Sequence, residues 1–359
     1  MRYAVIMAGG TGSRLWPMSR KNWPKQLLPL IDGRSLLELA GRRLEGVVEV
    51  DRQFICTSEG HRQAIRERLP EFTDDRILGE PVSRDTVNAV GFTAAILAKR
   101  DPDAIFAVLT ADHIIEPQEE FRRKVTLGFE VVEDDRSRFA TFSIMPTYPA
   151  TAYGYVERGA AVAGFPGAYV AKRFVEKPDA ETARAYVDAG TFGWNSGMFV
   201  FGAREFLEAL RRFKPRSYEG IARIAEAWDT PSAHAVLEEV YPTLPKISVD
   251  YAVMEPAARD EKISVCTVAM GVWWMDVGNW RSYGETLSED GRGNRTNTKT
   301  THLDSLDVVA VSDDPSHLIA TIGCRDLIVV HTAHATLVCP TSEAERVKEL
   351  ASTVDEAFR

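Results

Sequence analysis

The chain opens on an apolar run, Tyr3–Met7, that leads straight into Ala8-Gly9-Gly10-Thr11-Gly12-Ser13-Arg14-Leu15-Trp16-Pro17, with Pro24-Lys25-Gln26 soon after. The run predicts a short buried strand, and the glycines predict the loop leaving its carboxyl end. Gly9, Gly10 and Gly12 let backbone N–H groups approach a bulky anion without interference from a Cβ. Arg14 and Lys25 add fixed positive charge, so the ligand expected for this loop is a nucleotide phosphate chain. Two familiar loops are excluded by spacing. A P-loop needs Gly-Lys-Ser/Thr at its end, and none follows Gly9. A dinucleotide fingerprint needs a third glycine where this chain has Leu15. A plain glycine turn after a strand is the alternative.

The pattern that follows decides the fold class. Strand-like runs at Gln53–Thr57, Ala104–Thr110 and Phe139–Ile144 alternate with helical patterns at Leu36–Leu44, His61–Leu69, Thr86–Lys99 and Glu119–Glu133. This βαβ alternation predicts an α/β protein with a Rossmann-like, mixed but mostly parallel sheet flanked by helices. Ligands of such sheets bind outside the carboxyl ends of strands, so the glycine loop and Ala111-Asp112-His113 are expected to face one crevice. Further strands are expected at Tyr155–Arg158, Val170–Glu176, Met198–Phe201 and Ile263–Val268. The helical patterns there are Ala180–Ala189, Ala203–Arg212, Ala222–Trp228 and Ala233–Val240. Past the polar stretch 288–301 come short β-type runs and a helical pattern from Ser342 to about Ala357. We therefore expect a catalytic domain over 1–287, a linker over 288–301 and a small β-rich domain with a C-terminal helix over 302–359.

At 359 residues, two domains or one large and one small are expected, and the net charge of −9 argues against nucleic acid or an anionic membrane as the main partner. No apolar segment approaches the roughly 20 residues of a membrane span. The start of the chain reads as a core strand, so no signal peptide is expected. Cys56, Cys266, Cys324 and Cys339 are scattered through apolar, strand-like runs and show no C-x-x-C spacing. They read as reduced core residues of a cytoplasmic protein.

Asp112 and Asp276 each follow an apolar run. Beside a phosphate loop, two such carboxylates suggest a magnesium site, since Mg²⁺ is held by one or two carboxylates plus phosphate oxygens. Capping of local turns is the other reading of each. Lys177, in Phe174-Val175-Glu176-Lys177-Pro178, could neutralise a second phosphate or be plain surface. Trp194-Asn195-Ser196-Gly197 offers an aromatic and an amide suited to a sugar, or a polar turn beside a core Trp. Gly154 lies where backbone could approach a ligand, or simply turns the chain. His61, His113, His331 and His334 give no metal spacing with one another and read as ordinary polar or core histidines. Ser13, Ser83 and Ser196 have no credible His–Asp partner, so nucleophilic hydrolysis is not supported.

Gly10 to Pro17, then Ser19-Arg20, then Pro24-Lys25-Gln26, resembles the signature of sugar-phosphate nucleotidylyltransferases. Leu15-Trp16-Pro17 and Ser19-Arg20 resemble its mannose-1-phosphate guanylyltransferase branch. The resemblance covers nearly the full length through Thr57 to Arg62, Thr110 to His113, Phe174 to Pro178, Trp194 to Phe199, Ser248 to Glu255, Trp274 to Trp280 and the Gly323–Pro340 segment. It implies transfer of GMP from GTP to mannose 1-phosphate, giving GDP-mannose and pyrophosphate, with Mg²⁺. By that resemblance Ala8, Gly9, Gly10, Gly12 and Arg14 would cradle the triphosphate, with Lys25 against it. Asp112 and Asp276 would hold the metal. Gly154, Glu176, Asn195 and Asp250 would line the sugar, with Lys177 on its phosphate. Glu80 and Pro81 would lie near the base. Asp85-Thr86-Val87-Asn88-Ala89 departs from the family's usual Asn-Thr-Ala-Pro-Ala, which bears on the base contacts, and Ala150 and Ala152 depart before the Tyr-Gly-Tyr segment. Longer relatives carry a fused isomerase domain, and none is expected here. The same chemistry with another nucleotide or sugar, and a non-catalytic regulatory subunit, are the competing readings. Self-association as a homodimer through the β-rich domain is a further expectation.

Overall fold

The computed structural model describes residues 1–10 and 12–359, so Thr11 of the glycine loop lies outside the description. The chain divides into two compact units: residues 1–9, 40–111 and 115–274 form one, and residues 10–39, 112–114 and 275–359 form the other.

The first unit is built on a sheet of nine strands: β1 (Arg2–Ala8), β2 (Gln53–Ser58), β3 (Ile77–Glu80), β4 (Ile105–Thr110), β6 (Arg138–Ile144), β7 (Tyr155–Ala161), β8 (Ala168–Val175), β9 (Phe192–Gly202) and β10 (Ser264–Met270), with β5 (His113–Glu116) outside it. Their order is β3-β2-β1-β4-β9-β6-β10-β8-β7. Pairing is parallel from β3 to β4 and again between β6 and β10, while β9 joins β4 and β6 antiparallel. Val5 and Ile6 of β1 point to opposite faces and both are fully buried, as expected where helices cover both sides. The carboxyl ends of β1 and β4 lie side by side, with Met7 opposite Thr110. One face packs against helix Thr86–Arg100, which is buried from Val87 to Leu97, and against helices Ala203–Phe213 and Pro215–Ala227. Phe106, Phe139, Phe201 and Phe206 lock this layer, with ring centroids 4.8–6.4 Å apart. Each such ring contributes about 1.5–3 kcal/mol by leaving water. This framework holds the strand ends in fixed register.

The second unit has a separate core. Leu15, Trp16, Leu28, Leu30 and Leu36 pack with Ile114, Val277, Trp280, Tyr283, Val309, Val311, Ile328 and Val330. The indole of Trp280 donates to the Trp16 carbonyl at 2.8 Å and the Tyr283 hydroxyl to the Leu30 carbonyl at 3.0 Å. The segment after the glycine loop is therefore built into the same core as the β-rich region, a partnership separated by more than 250 residues of chain. The strands Arg295–Thr296, Lys299–Leu303, Val309–Ser312, Leu318–Ile322 and Leu327–His331 alternate between two small parallel sheets, so the chain coils, adding strands to each in turn. Thr336–Pro340 closes the coil antiparallel to Leu327–His331.

Most expected elements are present, but β3 and β5 have no counterpart among the expected strands, strand Phe192–Gly202 and helix Pro215–Ala227 begin well before their expected starts, and the C-terminal part differs in three respects. The stretch 288–301 already carries strand Arg295–Thr296 and the start of Lys299–Leu303. The expected C-terminal helix is broken into 3-10 turns at Thr341–Arg346 and Glu356–Phe358 around a short helix, Val347–Thr353. Ser352 and Thr353 bond back to the carbonyls of Glu349 and Leu350, the competition by which hydroxyl side chains disfavour helix continuation. Cys324 lies past the end of strand Leu318–Ile322 and, like Cys339, is only partly buried, whereas Cys56 and Cys266 are core residues. All four are free thiols. Among the described residues no helix is long and apolar enough to cross a membrane.

Candidate active site

Within the second unit the loop cations meet the two aspartates. Gly12 has a left-handed backbone with φ 64°, and a Cβ there would stand 2.5 Å from Cβ of Lys25, so both backbone and space require glycine. Lys25 is buried, and its ammonium donates to Asp112 Oδ2 at 2.8 Å and to the Val277 carbonyl at 3.2 Å. The Val277 N–H in turn donates to the Asp112 carbonyl at 3.0 Å, fixing the two aspartate-bearing segments to each other. Gly278 completes the arrangement. A Cβ on it would come within 3.5 Å of Arg14 Nη1 and 3.7–3.8 Å of both Asp276 carboxylate oxygens, which places Arg14 beside Asp276.

The electrostatics of the two aspartates diverge. Burial alone would raise Asp112, but the charges of Lys25 and His113 outweigh it and hold the carboxyl at about 2. Asp276 is pushed up, first by burial and then by the negative charge of Asp112. Its Oδ1 is buried and finds no hydrogen-bond partner among the described residues. A buried acceptor left without a donor is costly, and a cation bound there would remove that cost. The donor set is right for a divalent ion: ligand atoms of Asp112, His113 and Asp276 all lie within 4.8 Å of one another. His113, read from the sequence as an ordinary polar or core histidine, is buried and lies in this cluster.

Two further residues join this site: Asn279, within the Trp274 to Trp280 segment, and Glu345, which has no signal in the sequence. Glu345 accepts from Arg14 at 3.1–3.2 Å and from Asn279 Nδ2 at 2.6 Å. Asn279 also caps helix Trp280–Gly284 through a reciprocal capping box with Ser282, which anchors the turn carrying Asp276.

The first unit carries the remaining candidates. Gly154, Glu176 and Asn195 come together: the Asn195 N–H donates to the Gly154 carbonyl at 2.8 Å, and a Cβ on Gly154 would lie 2.3 Å from Glu176 Oε2. Asn195 Nδ2 donates to Asp250 Oδ1 at 2.8 Å. Asp250 begins a π-helical turn, Asp250–Met254, a backbone form that concentrates at functional sites. Burial, and then the charge of Glu176, raise Asp250 to about 7. Lys177 sits just before Pro178 with φ 47°, a left-handed conformation that is strained for a side chain of this size, and its ammonium is 2.6 Å from Glu176 Oε1. Burial tends to lower Lys177, but that pairing and the charge of Asp250 leave it raised. The Glu176 N–H is held by Glu255 Oε1 at 3.2 Å. Trp194 is only 4% exposed and is packed among Tyr148, Tyr153 and Trp274, so the structure favours the core reading over an open stacking face.

Glu80, at the end of β3, is buried and accepts from the Tyr241 hydroxyl at 2.6 Å. Burial raises its carboxyl to about 7. It lies by Gly9, where a Cβ would stand 4.0 Å from Glu80 Oε2. Ala8 is buried in β1, with its carbonyl bonded to the Thr57 hydroxyl, and Pro81 is partly exposed. Gly10 is exposed with φ 89°. Of the residues that depart from the family's usual Asn-Thr-Ala-Pro-Ala, Asp85 is exposed and the other two are internal. Val87 and Asn88 are fully buried, and the Asn88 amide donates to the carbonyls of Arg84 and Pro245. Asn88 therefore supports the helix start.

Comparison with known proteins agrees with this chemistry. The profile of the nucleotidyl transferase family matches residues 3–292. That of the MannoseP isomerase/GMP-like beta-helix domain matches residues 299–353. A mannose-1-phosphate guanylyltransferase of Escherichia coli is 37% identical over 353 residues, covering 97% of this chain and 73% of that protein. A structure described as a mannose-1-phosphate geranyltransferase from Thermus thermophilus has a TM-score of 0.85 at 32% identity and covers 98% of each chain. A structure described as a mannose-6-phosphate isomerase from Helicobacter pylori has a TM-score of 0.62 at 25% identity, covering 77% of this chain and 99% of that one.

Proposed function

The chain belongs to the nucleotidyl transferase family, in its mannose-1-phosphate guanylyltransferase branch, and on that premise we propose that it transfers GMP from GTP to α-D-mannose 1-phosphate, releasing pyrophosphate. The observation that carries this reading is the convergence of Arg14, Lys25, Asp112 and Asp276 in one compact unit. Such a group suits a triphosphate and its metal, and it contains no protein nucleophile.

The reaction needs none. The phosphate of mannose 1-phosphate is mostly dianionic near neutral pH, since its second pKa is about 6, so no general base is required. One of its oxygens forms a bond to the α-phosphorus of GTP in line as the bond to the bridging oxygen of the β-phosphate breaks, and pyrophosphate leaves with that electron pair. Catalysis is then positioning and charge stabilisation. Ala8, Gly9, Gly10 and Gly12 present backbone to the triphosphate. Arg14 and Lys25 meet its charge, for which Arg14 exchanges Glu345 for phosphate. Lys177 meets the phosphate of the sugar phosphate, while Gly154, Glu176, Asn195 and Asp250 orient the sugar. Glu80 and Pro81 would lie near the base, where Glu80, when ionised, could accept from the adjacent N1–H and N2–H donors of guanine. Asp112 and Asp276 would hold Mg²⁺, which when bound stabilises developing phosphate charge.

Residues 1–287 are proposed as the catalytic domain and 302–359 as the β-rich domain, joined over 288–301, in a cytoplasmic protein. A homodimer is supported by the exposed Leu303, Leu318 and Ile322 of the β-rich region. A panel of all four nucleoside triphosphates against several sugar 1-phosphates, read by pyrophosphate release, tests the assignment. GTP with mannose 1-phosphate should stand out, and preference for another pair would replace the substrate while keeping the chemistry. A regulatory subunit would be expected to have lost some of Arg14, Lys25, Asp112, Lys177 and Asp276, and all are present. The isomerase description belongs to the Helicobacter pylori chain, and the nucleotidyl transferase match spans the same catalytic residues here.

A further inference from the structure

The metal reading above uses two carboxylates, and a third donor of the same cluster stands beside them. Asp112 and His113 are consecutive, and consecutive residues of an extended strand point to opposite faces. Here Asp112 sits in the turn that precedes β5, and both side chains reach the same cluster. Asp112 divides its carboxylate: Oδ2 takes the Lys25 ammonium at 2.8 Å, while Oδ1 faces His113 Nε2 at 3.8 Å. The imidazole is almost fully enclosed, with 8% of its side chain exposed. The third member is Asp276, whose buried Oδ1 has no hydrogen-bond partner among the described residues. Two carboxylate oxygens and one imidazole nitrogen thus converge within 4.8 Å.

We propose that His113 is a third protein ligand of the divalent ion held by Asp112 and Asp276, an inference that rests on the metal reading given above. The donor set becomes two oxygens and a nitrogen. Mg²⁺ prefers oxygen, whereas imidazole suits first-row transition ions. The site is therefore biased towards ions such as Mn²⁺ and Co²⁺ beyond what two aspartates would give. A third anchor also fixes the ion to the start of β5, leaving fewer positions for water and phosphate oxygens.

The test uses the full chain loaded with Mn²⁺ and read by pulsed EPR, which detects ¹⁴N directly bonded to manganese. The wild type should show an imidazole ¹⁴N coupling that becomes a ¹⁵N coupling when the protein is labelled with ¹⁵N-histidine. His113→Gln should still bind Mn²⁺, with its Kd raised about tenfold and no nitrogen coupling. Its Mg²⁺ Kd should rise less, and Asp276→Asn should lose the ion. The labelled wild type decides the matter even if the variant does not fold. Bound Mn²⁺ without histidine coupling overturns the role of His113 and leaves the two-aspartate site standing. Coupling that survives in His113→Gln assigns the nitrogen elsewhere and also overturns it. A wild type that binds no Mn²⁺ removes both readings.

Discussion

Asp112 and Asp250 are both largely withdrawn from water, yet their surroundings drive them in opposite directions. Asp112 lies against the Lys25 ammonium and is held at about 2, a permanent anion. Asp250 lies against a second carboxylate, Glu176; burial and that charge outweigh its hydrogen bonds, the Asn195 amide among them, and the Lys177 charge, and raise it to about 7. The first environment is made for charge: cations, a metal-ready acid pair and glycines. The second mixes charge with a titrating acid: Lys177 pairs with Glu176, and Asp250, close to its titration point, can accept from or donate to a hydroxyl. On the function proposed above, a triphosphate would meet the first environment and a sugar phosphate the second.

The strongest way to break the contrast is at Asp276. Replacement by Ala should abolish GDP-mannose formation, a loss of several kcal/mol in transition-state stabilisation. Near-normal turnover with Asp276→Ala would show that the acid pair holds no catalytic ion. Lys177→Met comes next. If Lys177 is the one cation serving the sugar phosphate, kcat/KM for mannose 1-phosphate should fall on the order of 10²-fold while the KM for GTP changes little. Equal losses for both substrates would erase the division of labour.

A smaller effect sharpens the comparison through pH. An ordinary Asp has a pKa of about 3.9, against about 7 for Asp250 in the folded chain. Between those values the native state holds a proton that the unfolded chain has released, so stability falls as pH rises through the window and the loss is complete above about 7. Asp250→Asn removes that dependence. Its melting temperature relative to wild type should rise from pH 5 to pH 8, and parallel melting curves would show that Asp250 titrates normally. The least effect is expected at Glu345. Its pair with Arg14 leaves the two side chains 57% and 42% exposed, so solvent screens it. Glu345→Gln should change the KM for GTP by less than about fivefold and stability by less than about 1 kcal/mol.

Much of this was legible in the sequence because the first half obeys local rules. β1, β2, β4 and helix Thr86–Arg100 fall within a residue or two of their expected bounds, since period and length decide them. The glycine loop, Asp112, Lys177 and Asp276 were legible as residue types suited to phosphate and metal, and the resemblance assigned their roles. What was not legible depends on distant contacts. β3 is only four residues long. Trp194 is enclosed by aromatics from other parts of the chain, Glu345 reaches Arg14 across 331 positions, and Tyr241 reaches Glu80 across 161. The cluster around His113 is made with Asp112 beside it and Asp276 far along the chain, a grouping that no spacing among histidines displays. The allocation of residues 10–39 to the core of the β-rich region has no local signature at all.

That last feature sets an order of events during synthesis. Residues 10–39 emerge early, but the strands and tryptophan that enclose them lie beyond residue 275, and the Trp16 indole donates to the carbonyl of Phe358. At about 5–20 residues per second, Leu15, Trp16 and Leu28 remain uncovered for on the order of ten seconds or more before their partners leave the ribosome. In that interval the nine-stranded sheet can form while the phosphate loop has no floor beneath it. The nascent chain should therefore acquire the nine-stranded sheet first and the core of the second unit last, and a chaperone that shields apolar segments has its natural target in the residues just after the glycine loop.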